Sequence, residues 1–319
     1  MLNAVVVGCG MWGRNHARVY SELPDVNLIG VIDKDQRNAE EVAKMYNTHA
    51  YASLNHFYRD SYRTTSNNHI HIASIATPVS THVEVAKEFI KSSNEVSLLI
   101  EKPIAMTEEE VDELIACRVG GNNKIMIGHI ERFNPVVQNL KSLIDSGGLG
   151  KILSCTVNRS GLRQTRITDV GVLMDIGIHD FDLMHYLFDN TKSIYTIAST
   201  VEHSYEDIST SIVELENEVV CTLHCNWLTP YKQRTIEVLG TKAVAKCDLI
   251  NRTINIYKSS GEAHHIINAV EPLKTEIEYF VDCVRENKYN VLEIYDGKHA
   301  LEVALSALKS AESGLKVIL

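Results

Sequence analysis

The chain of 319 residues has no excess of positive charge, no long apolar run and no paired-cysteine motif. Each absence excludes something. Lysine and arginine total 31 against 41 aspartates and glutamates, a formal net charge of −10. That balance argues against a nucleic-acid-binding surface, so any basic site must be local. No apolar stretch approaches the roughly 20 residues that cross a bilayer, and no membrane partner is expected. Cys9, Cys117, Cys155, Cys221, Cys225, Cys247 and Cys283 are scattered and odd in number. They read as reduced, packed thiols of a cytoplasmic protein. The 14 histidines include no H-E-x-x-H pattern. A strand begins almost at the first residue, which leaves no room for a signal peptide. There is no internal repeat and no low-complexity segment.

What is present is an ordinary globular balance, 45% hydrophobic and 23% charged residues, at a length suited to about two domains. Its most informative stretch is the first. Ala4–Val7 is an apolar, β-branched strand. Gly8, Gly10 and Gly13 follow with the spacing G-x-G-x-x-G, Met11 and Trp12 fill the loop, and a helix-like segment continues from it. A second apolar strand, 26–32, ends at Asp33, 20 residues after Gly13. Gly8 permits the tight turn, Gly10 lets the backbone approach a pyrophosphate, and Gly13 lets the helix pack on the strand. The helix N-terminus offers free N–H groups to phosphates. Asp33 suits the ribose hydroxyls and repels a 2′-phosphate, so NAD is expected over NADP. Lys34 and Arg37 lie close by and soften that preference.

The strand–helix alternation continues with helix-like 39–46, strand 70–76 ending at Thr77-Pro78, helix 81–92 and strand 96–101 ending at Lys102-Pro103. Helix 108–118, capped by Thr107, and strand 124–129 follow, while 60–68 reads as a polar loop. This is the pattern of a doubly wound parallel sheet. The pattern then changes. Helix 133–146, strand 152–159 and helix 172–188 lead into a meander of strands at 193–203, 208–216, 218–228, 234–240, 242–249 and 253–257. Helices at 276–286 and 298–313 close the chain. The expected fold is α/β: an N-terminal Rossmann domain over 1–122 and an α+β domain over 123–319 with one large, mostly antiparallel sheet.

Three groups carry chemistry. Lys102 stands with Glu101 at the C-terminal end of a parallel strand, where ligands of open α/β sheets bind. It can stabilise negative charge on a substrate oxygen, or be a surface lysine. Asp175 and His179 are i, i+4 on an apolar helix, with Asp182 three residues further on. A histidine held by an acid is a proton acceptor near neutral pH, or the group caps itself in the core. The spacing also suits two ligands of a metal, but no third ligand stands out, so no metal is expected. Arg132, Arg159, Arg163 and Arg166 form a locally cationic set. It reads as a clamp for a diphosphate or carboxylate, or as a solvated loop.

Together, Gly8-x-Gly10-x-x-Gly13, Ala76-Thr77-Pro78, Glu101-Lys102-Pro103 and Asp175-x-x-x-His179 resemble the Gfo/Idh/MocA family, typified by glucose–fructose oxidoreductase and inositol dehydrogenase. The resemblance covers nearly the whole chain. It implies NAD(P)-dependent oxidation or reduction at a sugar or cyclitol carbon, with Lys102, Asp175 and His179 as catalytic residues. It places Thr77, Pro78 and His82 along the cofactor pocket and Glu101 near the nicotinamide, and it implies a cis bond at Lys102–Pro103. It also implies a homodimer or homotetramer built on the C-terminal sheet. Members divide the base role differently between lysine and histidine. Segments 128–137 and 163–187 are similar to UDP-N-acetylglucosamine 3-dehydrogenases and related UDP-sugar 3-dehydrogenases. In that reading Arg132, Asn134, Arg163 and Arg166 contact a nucleotide sugar. Trp12 departs from the usual small loop residue, and the stretch before strand 96–101 lacks the usual glycines. The expected function is NAD-dependent oxidation of a secondary sugar hydroxyl, the 3-hydroxyl of a UDP-N-acetylhexosamine. The alternatives are a free-sugar or inositol dehydrogenase, and a non-catalytic NAD-binding sensor.

Overall fold

The structure, a computed structural model, describes residues 1–61, 69–93, 95–118, 123–164, 169–288, 290 and 292–319. Its first half runs β1 (Leu2–Val7), α1 (Met11–Glu22), β2 (Val26–Ile32), α2 (Gln36–Tyr46), β3 (Ala50–Tyr51), α3 (Leu54–Ser61) and β4 (Ile72–Ile75). It continues with α4 (His82–Ser92), β5 (Ser97–Glu101), α5 (Glu108–Cys117) and β6 (Ile125–Gly128). The second half runs α6 (Pro135–Asp145), β7 (Ile152–Ser160), a π-helical turn at Leu173–Gly177, and α7 (Ile178–Leu187). Then come β8 (Thr191–Ser199), β9 (Ile208–Leu215), β10 (Val220–Asn226), β11 (Gln233–Gly240), β12 (Val244–Asp248), β13 (Thr253–Lys258) and β14 (Gly261–Ile266). Finally come α8 (Pro272–Arg285), α9 (Ile294–Ser313) and β15 (Val317–Ile318).

The chain divides into two compact units. The first is Met1–His129 with Leu273–Lys298. Its six strands are parallel, in the order β3-β2-β1-β4-β5-β6. Ala4, Val5, Val6, Leu98, Leu99 and Ile100 are fully buried, as expected where helices cover both faces and the strands become continuous apolar runs. Caps set the helix ends. The Asp35 side chain accepts from Arg37 N at 3.0 Å and that of Thr107 from Glu110 N at 3.3 Å. Glu108, Glu109 and Glu110 complement the N-terminal dipole of α5.

The first unit is larger than the sequence pattern indicates. The expected break at 122/123 falls beside residues 119–122, outside the described set, yet β6 lies beyond it and pairs with β5 from Leu98↔Ile125 to Glu101↔Gly128. The segment Leu273–Lys298 also returns here. Asn290 Nδ2 donates to Ile125 O at 3.1 Å, and Arg285 Nη1 meets Asp25 at 2.8 Å. Helix α3 shows no apolar period in the sequence, because over 54–60 the buried residues are Leu54 and Phe57. Most of the expected loop at 60–68 lies outside the described residues.

The second unit is Ile130–Pro272 with His299–Leu319. Its nine strands run β14-β13-β12-β11-β7-β10-β9-β8-β15. Every neighbouring pair is antiparallel except β7 and β10. The period of two is clear. Cys155, Val157 and Arg159 on β7, with Cys221, Leu223 and Cys225 on β10, are buried. On the other face Ile197 and Ile212 stay exposed. Burial pushes the Cys225 and Cys247 thiols up to about 12, which keeps them inert as packed thiols. The architecture is therefore α/β, a Rossmann-type parallel sheet with helices plus a large mixed, mostly antiparallel sheet. Among the described residues no helix is long and apolar enough to cross a membrane.

Candidate active site

In the first unit the glycine loop is shaped for a dinucleotide. Gly8 has φ +90°, and a Cβ there would stand 2.5 Å from Ala76 O. A Cβ at Gly13 would stand 1.6 Å from Gly8 O, so helix and loop touch backbone to backbone. At Gly10 a Cβ would meet nothing within 4 Å, so this turn faces open space. Gly10 caps α1 without a side chain, and the first turn of α1 holds no acid. Its orphan N–H groups are thus left for an anion. Asp33 Oδ2 accepts from Cys9 N at 2.7 Å and Oδ1 from Asp35 N at 2.8 Å. The carboxylate is fixed at the end of β2, and each oxygen retains capacity for a ribose hydroxyl. These residues fit NAD. Met11 is exposed and Trp12 half-buried at the loop's rim. Burial pushes the Cys9 thiol up to about 12, which leaves it a packing residue. Arg14 anchors the loop through a bidentate pair with Glu41 at 2.7 and 2.8 Å and through Cys9 O at 3.2 Å.

The ends of β4 and β5 are bound together by His82. Its Nδ1 lies 2.8 Å from Pro103 O and its Nε2 2.8 Å from Thr77 O. Both partners only accept, so both bonds form when both nitrogens carry protons. Thr77 Oγ1 in turn accepts from Thr81 Oγ1 at 2.8 Å, and Pro78 is exposed beside it. Lys102–Pro103 is a cis peptide bond. Glu101 is buried and bonded to His16 Nε2 at 2.9 Å. Burial pushes its carboxyl up, but the bond to His16 and the charges of Lys102 and His82 outweigh this and hold it below the ordinary value.

In the second unit Asp175 and His179 sit where the helix changes type. The sequence pattern predicts one α-helix over 172–188. The structure instead opens Leu173–Gly177 into a π turn that carries Asp175, and α7 then carries His179. Such bulges are frequent at functional sites. Asp175 is buried and His179 half-buried. Glu206 fixes the entry to this segment. Its backbone oxygen accepts from Val172 N at 2.9 Å and its Oε1 from Leu173 N at 3.1 Å. A Cβ at Gly171 would stand 2.1 Å from its carboxylate. Burial raises the Glu206 carboxyl.

The arginine set separates in the structure. Arg132 makes a buried bidentate pair with Asp182, Nε to Oδ2 at 2.9 Å and Nη2 to Oδ1 at 2.6 Å, and lies over the Tyr186 ring. Asp182, three residues after His179, thus holds Arg132. Asn134 is buried as the cap of α6, where its side chain accepts from Val136 N at 3.0 Å and donates to Glu131 at 3.2 Å. Arg159 bonds Asp180 at 2.7 Å and Glu131 at 2.8 Å. Arg132 and Asn134 are thus engaged within the protein rather than presented as surface contacts. Arg163 is half-buried and stacks over Trp227 at 5.5 Å. Arg166 lies outside the described residues.

Sequence reasoning did not single out five residues that these geometries bring forward: His16, Glu131, Asp180, Glu206 and Arg234. Arg234 stands opposite Arg159 on β11, and Glu131 Oε1 accepts from both. No local signal marks such partners. His16 alone had one, a polar residue three positions after Gly13 on the buried face of α1. Among the described residues no group of three or more histidines, cysteines or acids is placed to hold a metal ion.

Residues 2–129 match a family model described as the oxidoreductase family with an NAD-binding Rossmann fold, and residues 137–246 match the GFO/IDH/MocA C-terminal domain. The chain is 27% identical to the UDP-N-acetylglucosamine 3-dehydrogenase of Acidithiobacillus ferrooxidans, over 98% of this chain and 97% of that protein. The solved structure of that protein superposes with a TM-score of 0.87 over 98% of both chains, at 26% identity. The scyllo-inositol 2-dehydrogenase (NAD(+)) of Bacillus subtilis is 24% identical over 99% of this chain and 96% of its own length. With a dinucleotide loop, an acid at the end of β2 and matches to both domains, the chain belongs to the GFO/IDH/MocA family of NAD-dependent oxidoreductases, whose members include dehydrogenases of sugar hydroxyls.

Proposed function

We propose that this enzyme oxidises the 3-hydroxyl of a UDP-N-acetylhexosamine. The observation that carries this reading is the similarity to the Acidithiobacillus UDP-N-acetylglucosamine 3-dehydrogenase along almost the whole of both chains. In this reading His179 takes the hydroxyl proton as general base. Lys102 hydrogen-bonds the same oxygen and stabilises its developing charge. Asp175 orients His179 or a substrate hydroxyl. Bound NAD supplies the hydride acceptor. Arg163 and Arg166 take the diphosphate, while Arg132 and Asn134 act through Asp182 and the α6 cap.

A diphosphate brings about two negative charges to a chain of net charge −10, so a local cation must meet it. UDP alone is therefore expected to inhibit competitively against the sugar substrate. Arg163→Ala or Arg166→Ala should raise KM more than it lowers kcat, because the diphosphate is held equally in the ground and transition states. Steady-state kinetics with a UDP-sugar and its free sugar side by side checks this. Equal efficiency on both, with no inhibition by UDP, moves the assignment to a free-sugar or inositol dehydrogenase, the reading favoured by the similarity to the Bacillus scyllo-inositol enzyme.

The second unit's sheet supports an oligomer. Its exposed face presents Ile197 and Ile212, paired across β8 and β9 with Thr210 and Tyr195, a surface suited to a second copy of the chain. Light scattering on purified protein is expected to return a dimer or tetramer mass. The mass of a single chain removes this part of the proposal.

A further inference from the structure

A chain of four buried side chains crosses the first unit from α1 through β4 to the end of β5. Tyr20 OH lies 2.8 Å from Ser74 Oγ, Ser74 Oγ lies 3.0 Å from His16 Nδ1, and His16 Nε2 lies 2.9 Å from Glu101 Oε1. His16, Tyr20 and Ser74 are 0% exposed and Glu101 8%. For an ionised Glu101 and a neutral His16 the protons have one arrangement. An ionised Glu101 only accepts, so Nε2 carries hydrogen. A neutral imidazole then has a bare Nδ1, which takes the Ser74 hydrogen, and the Ser74 oxygen takes the Tyr20 hydrogen. Every bond runs toward the carboxylate. The low value of Glu101 agrees with an ionised group.

This carboxylate stands where a charge matters. The glycine loop and Asp33 give the adenosine half of a dinucleotide to β1 and β2, which leaves the β4–β6 half of the sheet to the nicotinamide. Glu101 ends β5 in that half. Its Oε1 is held by His16, and its Oε2 receives Lys102 N at 3.3 Å. On β6 the residue opposite is Gly128, where a Cβ would crowd Oε2 at 3.3 Å.

We propose that His16, acting through Glu101, sets the balance between the two oxidation states of the bound cofactor. The oxidised nicotinamide ring carries a positive charge and the reduced ring does not. A fixed carboxylate beside that ring favours the oxidised form, in a buried setting where charges are poorly screened. His16 is a positioning residue in this scheme: it keeps Glu101 ionised and aimed. The role is independent of which sugar the enzyme takes.

The test is equilibrium binding without any sugar. NADH is titrated by fluorescence and NAD by competition against it. Glu101→Gln keeps the shape and removes the charge. It should weaken NAD relative to NADH by about tenfold, which moves the bound couple by about 30 mV. His16→Leu should shift the ratio in the same direction, because Glu101 without its donor takes up a proton. His16→Gln can still donate to Glu101 and should restore most of the ratio. If His16→Leu does not fold, Ser74→Ala carries the test, since it releases Nδ1 and should give a smaller shift of the same sign. Equal weakening of both cofactors in Glu101→Gln and in the His16 or Ser74 variant reduces the network to a structural role and overturns the proposal.

Discussion

Alanine at Lys102 or at His179 is expected to lower turnover on the order of 10²-fold or more while the protein stays folded and binds NAD. The two losses have different origins. Lys102 follows the end of β5, and its backbone N–H donates to the Glu101 carboxylate. Removing its ammonium leaves the strand intact but withdraws the charge that would meet a developing alkoxide. His179 is half-buried on α7. Its removal withdraws the proton acceptor, and the residual rate should then rise with hydroxide concentration. Asp175→Ala should also be damaging, through misorientation of its neighbour. NADH titration shows whether the cofactor site survives, and steady-state kinetics across pH gives the rates. Near-normal turnover at every pH in either alanine variant would make the catalytic assignment wrong.

The largest expected effect on stability is at Arg159. Its guanidinium is 3% exposed and joins Asp180 and Glu131, two carboxylates that are themselves buried. Burial alone would lower its tendency to stay charged, but Asp180 and Glu131 outweigh it and hold the arginine protonated. Arg159→Met removes the shared cation from both acids, leaving Glu131 with Arg234 and Asn134. Breaking a buried pair from one side costs about 3–5 kcal/mol, and the midpoint of chemical or thermal unfolding should fall accordingly. The sign with pH follows from these acids. Their folded-state values rise above the unfolded ones, so the penalty is present above the unfolded carboxyl range and shrinks as pH falls and they are protonated. Replacing Arg159, Glu131 and Asp180 together by apolar residues should recover part of the loss. An unfolding midpoint for Arg159→Met equal to that of the unaltered protein contradicts this account.

The parallel sheet and the dinucleotide loop were legible because their signals are local. β2 spans 26–32 as read from the sequence, Thr107 caps α5, and a Cβ would meet backbone at Gly8 and Gly13 and open space at Gly10. Strand periodicity also disclosed the antiparallel meander, since a one-face core forces alternation along every strand. Two features had no local signal. The segment Leu273–Lys298 joins the first unit through contacts made across a long stretch of chain. The π turn at Leu173–Gly177 changes the register of a helix whose apolar pattern reads as α throughout.

The sequence by itself determined the fold class, the cofactor loop and the order of the chemistry-bearing motifs, because glycine spacing, strand alternation and strand-end residues act over a few positions. Tertiary structure decided which charges are spent. Arg132 and Arg159 look like substrate cations in a linear reading, yet each is buried against acids supplied by other elements, Asp182 and Asp180 on α7 and Glu131 ahead of α6. His16 reads as one histidine among 14, yet the fold gives it Ser74 on one nitrogen and Glu101 on the other. A buried charge must be paired to be tolerated, and the partner is chosen by which strands and helices meet. That choice exists only once the chain has folded.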